Sequence, residues 1–150
     1  MKVAFAADHA GWMLRARMFA ELTALGHDLV DCGPSAMEPG DDYPDRAAAV
    51  GRAVVEGRAE RGVVVCGSGV GAAIAANKLR GVRASMCHDS FSARQGVEDD
   101  DMNVLCLGAR VIGEDLAAEL LRDFLAARFS GAERHLRRLG KIEQLEALSS

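Results

Sequence analysis

One ten-residue stretch, Gly62-Val63-Val64-Val65-Cys66-Gly67-Ser68-Gly69-Val70-Gly71, constrains this chain more than any other. Its β-branched, wholly apolar run is bounded by glycines. Such a run suits a strand covered on both faces, the situation of a central strand in a parallel sheet. The strand runs straight into a glycine-rich turn, and a small-residue segment from Ala72 to about Leu79 reads as the helix that follows.

The remaining segments repeat the pattern. Lys2 to Ala7 and His27 to Asp31 read as strands on either side of a helix from Trp12 to Leu25, whose apolar residues are Trp12, Met13, Phe19, Leu22 and Leu25. Cys32 to Tyr43 carries Gly33-Pro34, Pro39-Gly40 and several acids, so it is a loop. Pro44 suits a first helical position, and that helix extends to about Gly57. Val82 to Met86 is a fourth strand, Ser90 to about Glu98 a helix, and Val104 to Leu107 a fifth strand. Helices Glu114 to Arg128 and Glu133 to Leu148 close the chain. This alternation predicts an α/β fold of one domain over residues 1–150: a three-layer αβα sandwich, Rossmann-like, around a five-stranded parallel sheet. No strand follows the last helix, so its leftover apolar surface is expected to pack against a partner subunit.

Composition excludes several classes. A formal net charge of −4 argues against a general nucleic-acid binder. No apolar run approaches the roughly 18 residues needed to cross a bilayer, and the apolar segment after Lys2 ends at Asp8, too short for a secretory signal core. Cys32, Cys66, Cys87 and Cys106 show no C-x-x-C pair. They read as buried free thiols of a reducing compartment, which makes the cytoplasm the expected location. Basic residues crowd one place, at Arg128, Arg134, Arg137, Arg138 and Lys141.

In an open parallel sheet, ligands bind at the carboxyl ends of the strands. The residues expected there are Asp8 and His9, Cys66 through Gly71, His88 and Asp89, and Arg110. The turn Gly67-Ser68-Gly69-Val70-Gly71 can aim backbone N–H groups at a phosphate or at a developing enediolate oxygen. A cysteine beside such a cradle is placed to work as a thiolate base next to a carbonyl. The plainer reading is a buried cysteine in a turn chosen for packing. Asp8-His9 is either a substrate-binding pair or an exposed turn. Arg134 and Arg138, four apart, share a helix face and either clamp a phosphate or form a solvated basic surface. His27 and His88 are expected to be structural.

Together these pieces resemble the type B ribose-5-phosphate isomerases and their galactose-6-phosphate relatives. The matching motifs are Ala7-Asp8-His9-Ala10-Gly11, Tyr43-Pro44-Asp45, Cys66 through Gly71, Ala75-Ala76-Asn77-Lys78, Gly81-Val82-Arg83-Ala84, Leu107 through Gly113, and Arg134-His135 with Arg138. The resemblance implies that Cys66 shuttles a proton between C1 and C2 and that the amides of Gly67, Gly69, Val70 and Gly71 hold the enediolate oxygens. It places Ser68 near the sugar oxygens. It implies substrate binding by Asp8, His9 and Tyr43, with Arg110, Arg134 and Arg138 serving chiefly the phosphate. It further implies a homodimer, or a tetramer, with sites across the interface, no metal and no organic cofactor.

One departure matters. The ribose-phosphate enzymes carry a ring-opening histidine where this chain has Asp99, and an Asn commonly follows where Asp100 stands. Asp99 is therefore expected in the catalytic set and Asp100 in the binding set. An aspartate serves as the acid only if its surroundings keep it protonated. A tetrose 4-phosphate, whose O4 is esterified, needs no ring opening at all, and a hexose 6-phosphate is a further candidate. Two readings from other classes stand beside these. Gly67-x-Gly69-x-Gly71 with Asp89 mimics a dinucleotide site, though with G-x-G-x-G spacing. Loss of the histidine would also fit a non-catalytic sugar-phosphate-binding subunit, against which the retained Cys66 counts.

Overall fold

The computed structural model describes residues 1–149. Strands β1 (Lys2–Ala7), β2 (Asp28–Asp31), β3 (Arg61–Cys66), β4 (Ala84–Met86) and β5 (Val104–Gly108) form one sheet. Its order is β2-β1-β3-β5-β4 and every pairing is parallel. Helices α1 (Arg15–Ala24), α2 (Tyr43–Val55), α3 (Val70–Ala76), α4 (Ser90–Asp100), α5 (Glu114–Ala126) and α6 (Glu133–Leu148) complete the fold. It is the αβα sandwich expected from the alternation. None of the described helices is long and apolar enough to cross a membrane.

Successive side chains of a strand point to opposite faces, so the sheet builds two cores. Val3, Phe5, Val63, Val65, Leu105 and Leu107 meet Met18, Leu22, Val97, Leu121 and Phe124 of α1, α4 and α5. Ala4, Ala6, Val64, Cys66 and Cys106 meet Ala47, Val50 and Ala72 of α2 and α3. The second core is built from small residues, which brings α2 and α3 close to the strands. β3 is buried from Gly62 to Cys66, as its unbroken apolar run requires.

Several boundaries differ from the sequence reading for local reasons. The Trp12–Leu25 segment opens as a 3-10 turn, Trp12–Leu14, with no side-chain cap, and becomes α-helical only at Arg15. β2 begins at Asp28 and not at His27. Tyr43 belongs to α2 and not to the loop before it. The glycine turn passes into helix already at Val70, and α3 ends at Ala76, three residues short of Leu79. β4 is only Ala84–Met86. Its start is preempted by Arg83, whose N–H donates to Asn103 Oδ1. α5 stops at Ala126, where the Arg61 and Arg128 guanidinium groups take the terminal carbonyls. Cys32 is half-buried, unlike the three other cysteines.

Helix α6 has one buried residue, His135, while Leu136, Ile142, Leu145 and Leu148 are exposed. It meets the body at α4 and through Glu146 Oε1, which accepts the Gly81 N–H at 2.8 Å. A groove of about 890 Å³ runs between its second half and the edge strand β4, lined in part by Asn77, Met86, Asp100 and Ile142.

Backbone contact is closest where β5 meets the turn after β3. A Cβ built on Gly108 would lie 2.6 Å from the Ser68 carbonyl carbon and oxygen. Gly108→Ala is therefore expected to destabilise the protein by about 1–3 kcal/mol, as overpacking does. Gly113→Ala, with nothing within 4 Å, is expected to stay within about 0.5 kcal/mol. Urea unfolding of the two variants side by side measures the difference.

Candidate active site

Asp8, Cys66 and Arg110 come together because the strands that deliver them are neighbours, in the order β1, β3, β5. β2 lies on one side of β1 and β3 on the other, so the chain diverges at the carboxyl end of β1 and leaves a crevice there. Pairing continues past the strand ends. The Asp8 N–H donates to Val65 O at 3.1 Å, the Ala109 N–H to Cys66 O at 2.9 Å, and the Arg110 N–H to Gly67 O at 3.0 Å.

Cys66 is the last residue of β3 and is 4% exposed. The backbone turns back over its side chain, and the Gly69 N–H donates to Sγ at 3.1 Å. That turn needs Gly69 at φ +83°, a left-handed conformation natural to glycine. Ser68 is exposed, and its Oγ accepts the Val70 N–H at 3.3 Å, leaving its own O–H free to donate. The Tyr43 ring, at the start of α2, covers Gly71 so closely that a Cβ there would sit 2.6 Å from ring carbons. A Cβ on Gly67 would meet Arg110 Nη1 at 3.5 Å, so the guanidinium lies against the turn.

Asp8 and His9 play different parts. Asp8 is buried, and its Oδ1 accepts the Gly11 N–H at 2.8 Å, which fixes the turn. His9 is exposed and bound from a third side. Asp41, in the loop between β2 and α2, accepts the His9 N–H at 2.7 Å and pairs with its Nδ1 at 2.9 Å, both through Oδ1. Asp41 Oδ2 accepts Arg46 Nε at 2.8 Å, and Arg46 also pairs with Glu38. The hydrogen bond that Asp41 accepts from the ring raises His9 above the ordinary imidazole value. Burial pushes the Asp41 carboxyl up, but the bonds from His9 and Arg46 outweigh it and leave it below the ordinary value. The sequence reading passed over Asp41, which is one acid in the run Glu38, Asp41, Asp42, Asp45. No local signal marks which of these faces the site.

His88 is structural, as expected. Its Nε2 accepts the Gly108 N–H at 2.9 Å, and burial pushes its pKa down, consistent with a neutral acceptor. Asp89 is the N-cap of α4, accepting the Ser92 N–H at 2.7 Å, which gives it an ordinary helical role in place of a ribose contact.

Asp99, Asp100, Arg134 and Arg138 are elsewhere. α4 runs back from the carboxyl edge to the amino edge, so its 11 residues put Asp99 roughly 15 Å along the sheet from the Cys66 end. Asp99 Oδ2 accepts Gln95 Nε2 at 2.8 Å, and Oδ1 lies 3.4 Å from Nε2 of the buried His135. His135 Nδ1 is bound in turn by Ser130 Oγ at 2.6 Å. The adjacent acids do not form one cluster. Asp100 is exposed beside the groove, and Asp101 pairs with Arg83 at 2.8 Å. Arg134 and Arg138 are exposed on α6, and neither is in an ion pair with a described residue. One chain thus assembles the Cys66 thiol, the amide turn with Ser68, Asp8, His9, Tyr43 and Arg110 at one edge, and leaves Asp99, Asp100, Arg134 and Arg138 away from it.

Comparison with known proteins agrees with this architecture. Residues 3–142 match the Ribose/Galactose Isomerase family. The ribose-5-phosphate isomerase B of Escherichia coli is 39% identical over 145 residues, covering 97% of this chain and 96% of that protein. The D-erythrulose-4-phosphate isomerase of Pectobacterium atrosepticum is 36% identical over 131 residues, covering 87% and 86%. The solved structure of the Clostridium thermocellum ribose-5-phosphate isomerase B superposes with a TM-score of 0.96 at 41% identity, covering 100% of both chains. With the family matched over residues 3–142 and the fold superposed over the whole chain, this chain belongs to the ribose/galactose isomerase family of sugar-phosphate isomerases.

Proposed function

We propose that this chain interconverts ribose 5-phosphate and ribulose 5-phosphate with Cys66 as the base. The observation that carries the reading is the Cys66 thiol held under the Gly69 N–H at the carboxyl edge of β3. A donor aimed at sulfur suits a base that must carry negative charge, and an amide turn suits an oxyanion. In the open-chain aldose, Cys66 as thiolate removes the proton at C2. The C–H electron pair forms the C1–C2 double bond of an enediolate, and the carbonyl electrons move to O1. The proton on O2 passes to O1, and as the carbonyl forms at C2 the C1–C2 double-bond pair takes the proton back from the thiol at C1. The amides of Gly67 through Gly71 and the Ser68 hydroxyl serve the two oxygens as they exchange charge.

The phosphate needs cations, and in one chain Arg110 and His9 are at the Cys66 edge while Arg134 and Arg138 are not. A homodimer in which α6 of one subunit reaches the site of the other supplies the missing pair and covers the apolar α6 face. A reducing cytoplasm suits an enzyme whose base is a thiol. Asp99 supports a second reading, in which the substrate is a tetrose 4-phosphate. Its carboxylate is already engaged by Gln95 and His135, and such a substrate requires no ring opening.

Cys66→Ala is expected to lower turnover of ribose 5-phosphate by about 10²–10⁴-fold without unfolding the protein, as removal of a positioned acid–base does. Turnover of ribose 5-phosphate and erythrose 4-phosphate by wild type and Asp99→His separates the substrates. A gain on ribose alone fits a ribose-type enzyme, and a tetrose preference indifferent to Asp99→His fits the second reading. No turnover with either sugar would overturn both.

The shared site is tested by mixing Cys66→Ala subunits with Arg134→Ala/Arg138→Ala subunits after unfolding and refolding together. Each mixed dimer then holds one intact site, so recovery of about a quarter of wild-type activity is expected from random pairing. Absence of recovery from two inactive parents would place the arginines in the same site as the cysteine of their own chain, and an active Arg134→Ala/Arg138→Ala parent would place them in none.

A further inference from the structure

The loop between β2 and α2 brings a carboxylate against His9 that no motif accounts for. Asp41 contacts His9 twice through one oxygen, at the backbone N–H and at Nδ1. Its other oxygen is held by Arg46, itself anchored by Glu38. The Asp41 side chain is only 8% exposed, whereas that of His9 is 39% exposed. A buried, doubly anchored carboxylate therefore grips one nitrogen of an accessible ring and leaves the other, Nε2, without a partner among the described residues. We infer that Asp41 is a positioning residue for the isomerase reaction, fixing the His9 ring so that Nε2 is presented to an anionic oxygen of the substrate. The inference rests on the sugar-phosphate reading of this edge.

The chemistry follows from the tautomers. With Nδ1–H donating to Asp41, a neutral ring offers only a lone pair at Nε2, while a protonated ring offers an N–H donor. Phosphate and enediolate oxygens call for the donor. Asp41, and secondarily the neighbouring Asp8, raise the pH up to which His9 stays protonated. Arg46 on α2 and Glu38 act on the ring only through Asp41. Because the folded-state pKa lies above the ordinary 6.5, the stabilisation from this pair is complete below pH 6.5 and fades as pH rises through the raised value.

The ring of His9 titrated by NMR in ligand-free wild type, Asp41→Asn and Asp41→Ala is the first readout. The second is kcat/KM for ribose 5-phosphate across pH for the same proteins. Asp41→Asn keeps an acceptor for Nδ1–H but loses the charge. It is expected to move the His9 midpoint and the alkaline limb of kcat/KM to lower pH, with a loss of about 10-fold on the alkaline side, chiefly in KM. Asp41→Ala loses orientation as well and is expected to lose up to about 100-fold. An unchanged His9 midpoint in Asp41→Asn overturns the inference, as does a kcat/KM that falls by one factor at every pH. Absence of turnover by wild type would count against the isomerase reading, whereas the His9 midpoint is read without substrate and decides the Asp41 pairing on its own.

Discussion

Everything at the candidate site depends on how tightly backbone packs around the carboxyl end of β3. Gly11 presses against the Val65 carbonyl and Gly108 against Ser68, and neither position has room for a Cβ. The hydrogen bonds from Asp8, Ala109 and Arg110 run through these contacts and extend the sheet beyond its strands. With both neighbours this close, the segment after Cys66 has one way to go, back over its own side chain through the left-handed Gly69. The bond from the Gly69 N–H to the Cys66 sulfur is thus a product of sheet packing. A preorganised donor of this kind costs no rearrangement at the moment charge develops.

That packing divides the site's charges into two groups. Close to Cys66 the chain places His9 and Arg110, both mounted on short turns fixed by backbone bonds. The remaining predicted cations, Arg134 and Arg138, stand on α6, a helix with a single buried residue. An acidic chain that must hold a phosphate dianion has reason to concentrate its cations, yet one copy spreads them over two edges of the sheet. The two edges serve one substrate only if a second copy brings them together. In the dimer proposed above, the exposed leucines of α6 and the groove beside β4 would be surfaces of the same assembly. The Asp99–His135–Ser130 chain of contacts, centred on the buried His135, would fix the register of α6 against α4 within it.

The sheet was legible in the sequence because parallel strands are buried on both faces. Val63-Val64-Val65-Cys66 and Val104 to Leu107 carry no polar residue to confuse the period, and glycines mark where they end. Helix α6 was read to its observed ends, Glu133 and Leu148. The edges were less legible where a side chain decides them. β4 starts late because Asn103 and Asp101 engage Arg83 across 18 to 20 residues, a pairing that no local pattern encodes. Asp41 shows the same limit at the site. Its neighbours Glu38 and Asp42 have the same chemistry, and only the path of the loop, with Gly40 at φ +74°, selects the acid that meets His9.

Asp99 illustrates how a substitution is read differently once its partners are known. By sequence it stood among adjacent acids, where mutual repulsion could favour a protonated member. In the fold the acids part: Asp101 turns to Arg83, Asp100 to solvent, and Asp99 to Gln95 and His135. Gln95 and His135 thus take one oxygen each of the Asp99 carboxylate. A side chain held on both oxygens must give up a contact before it can serve a sugar ring. An open-chain substrate asks nothing of this position, so the contacts that hold Asp99 also bear on which sugar the site accepts.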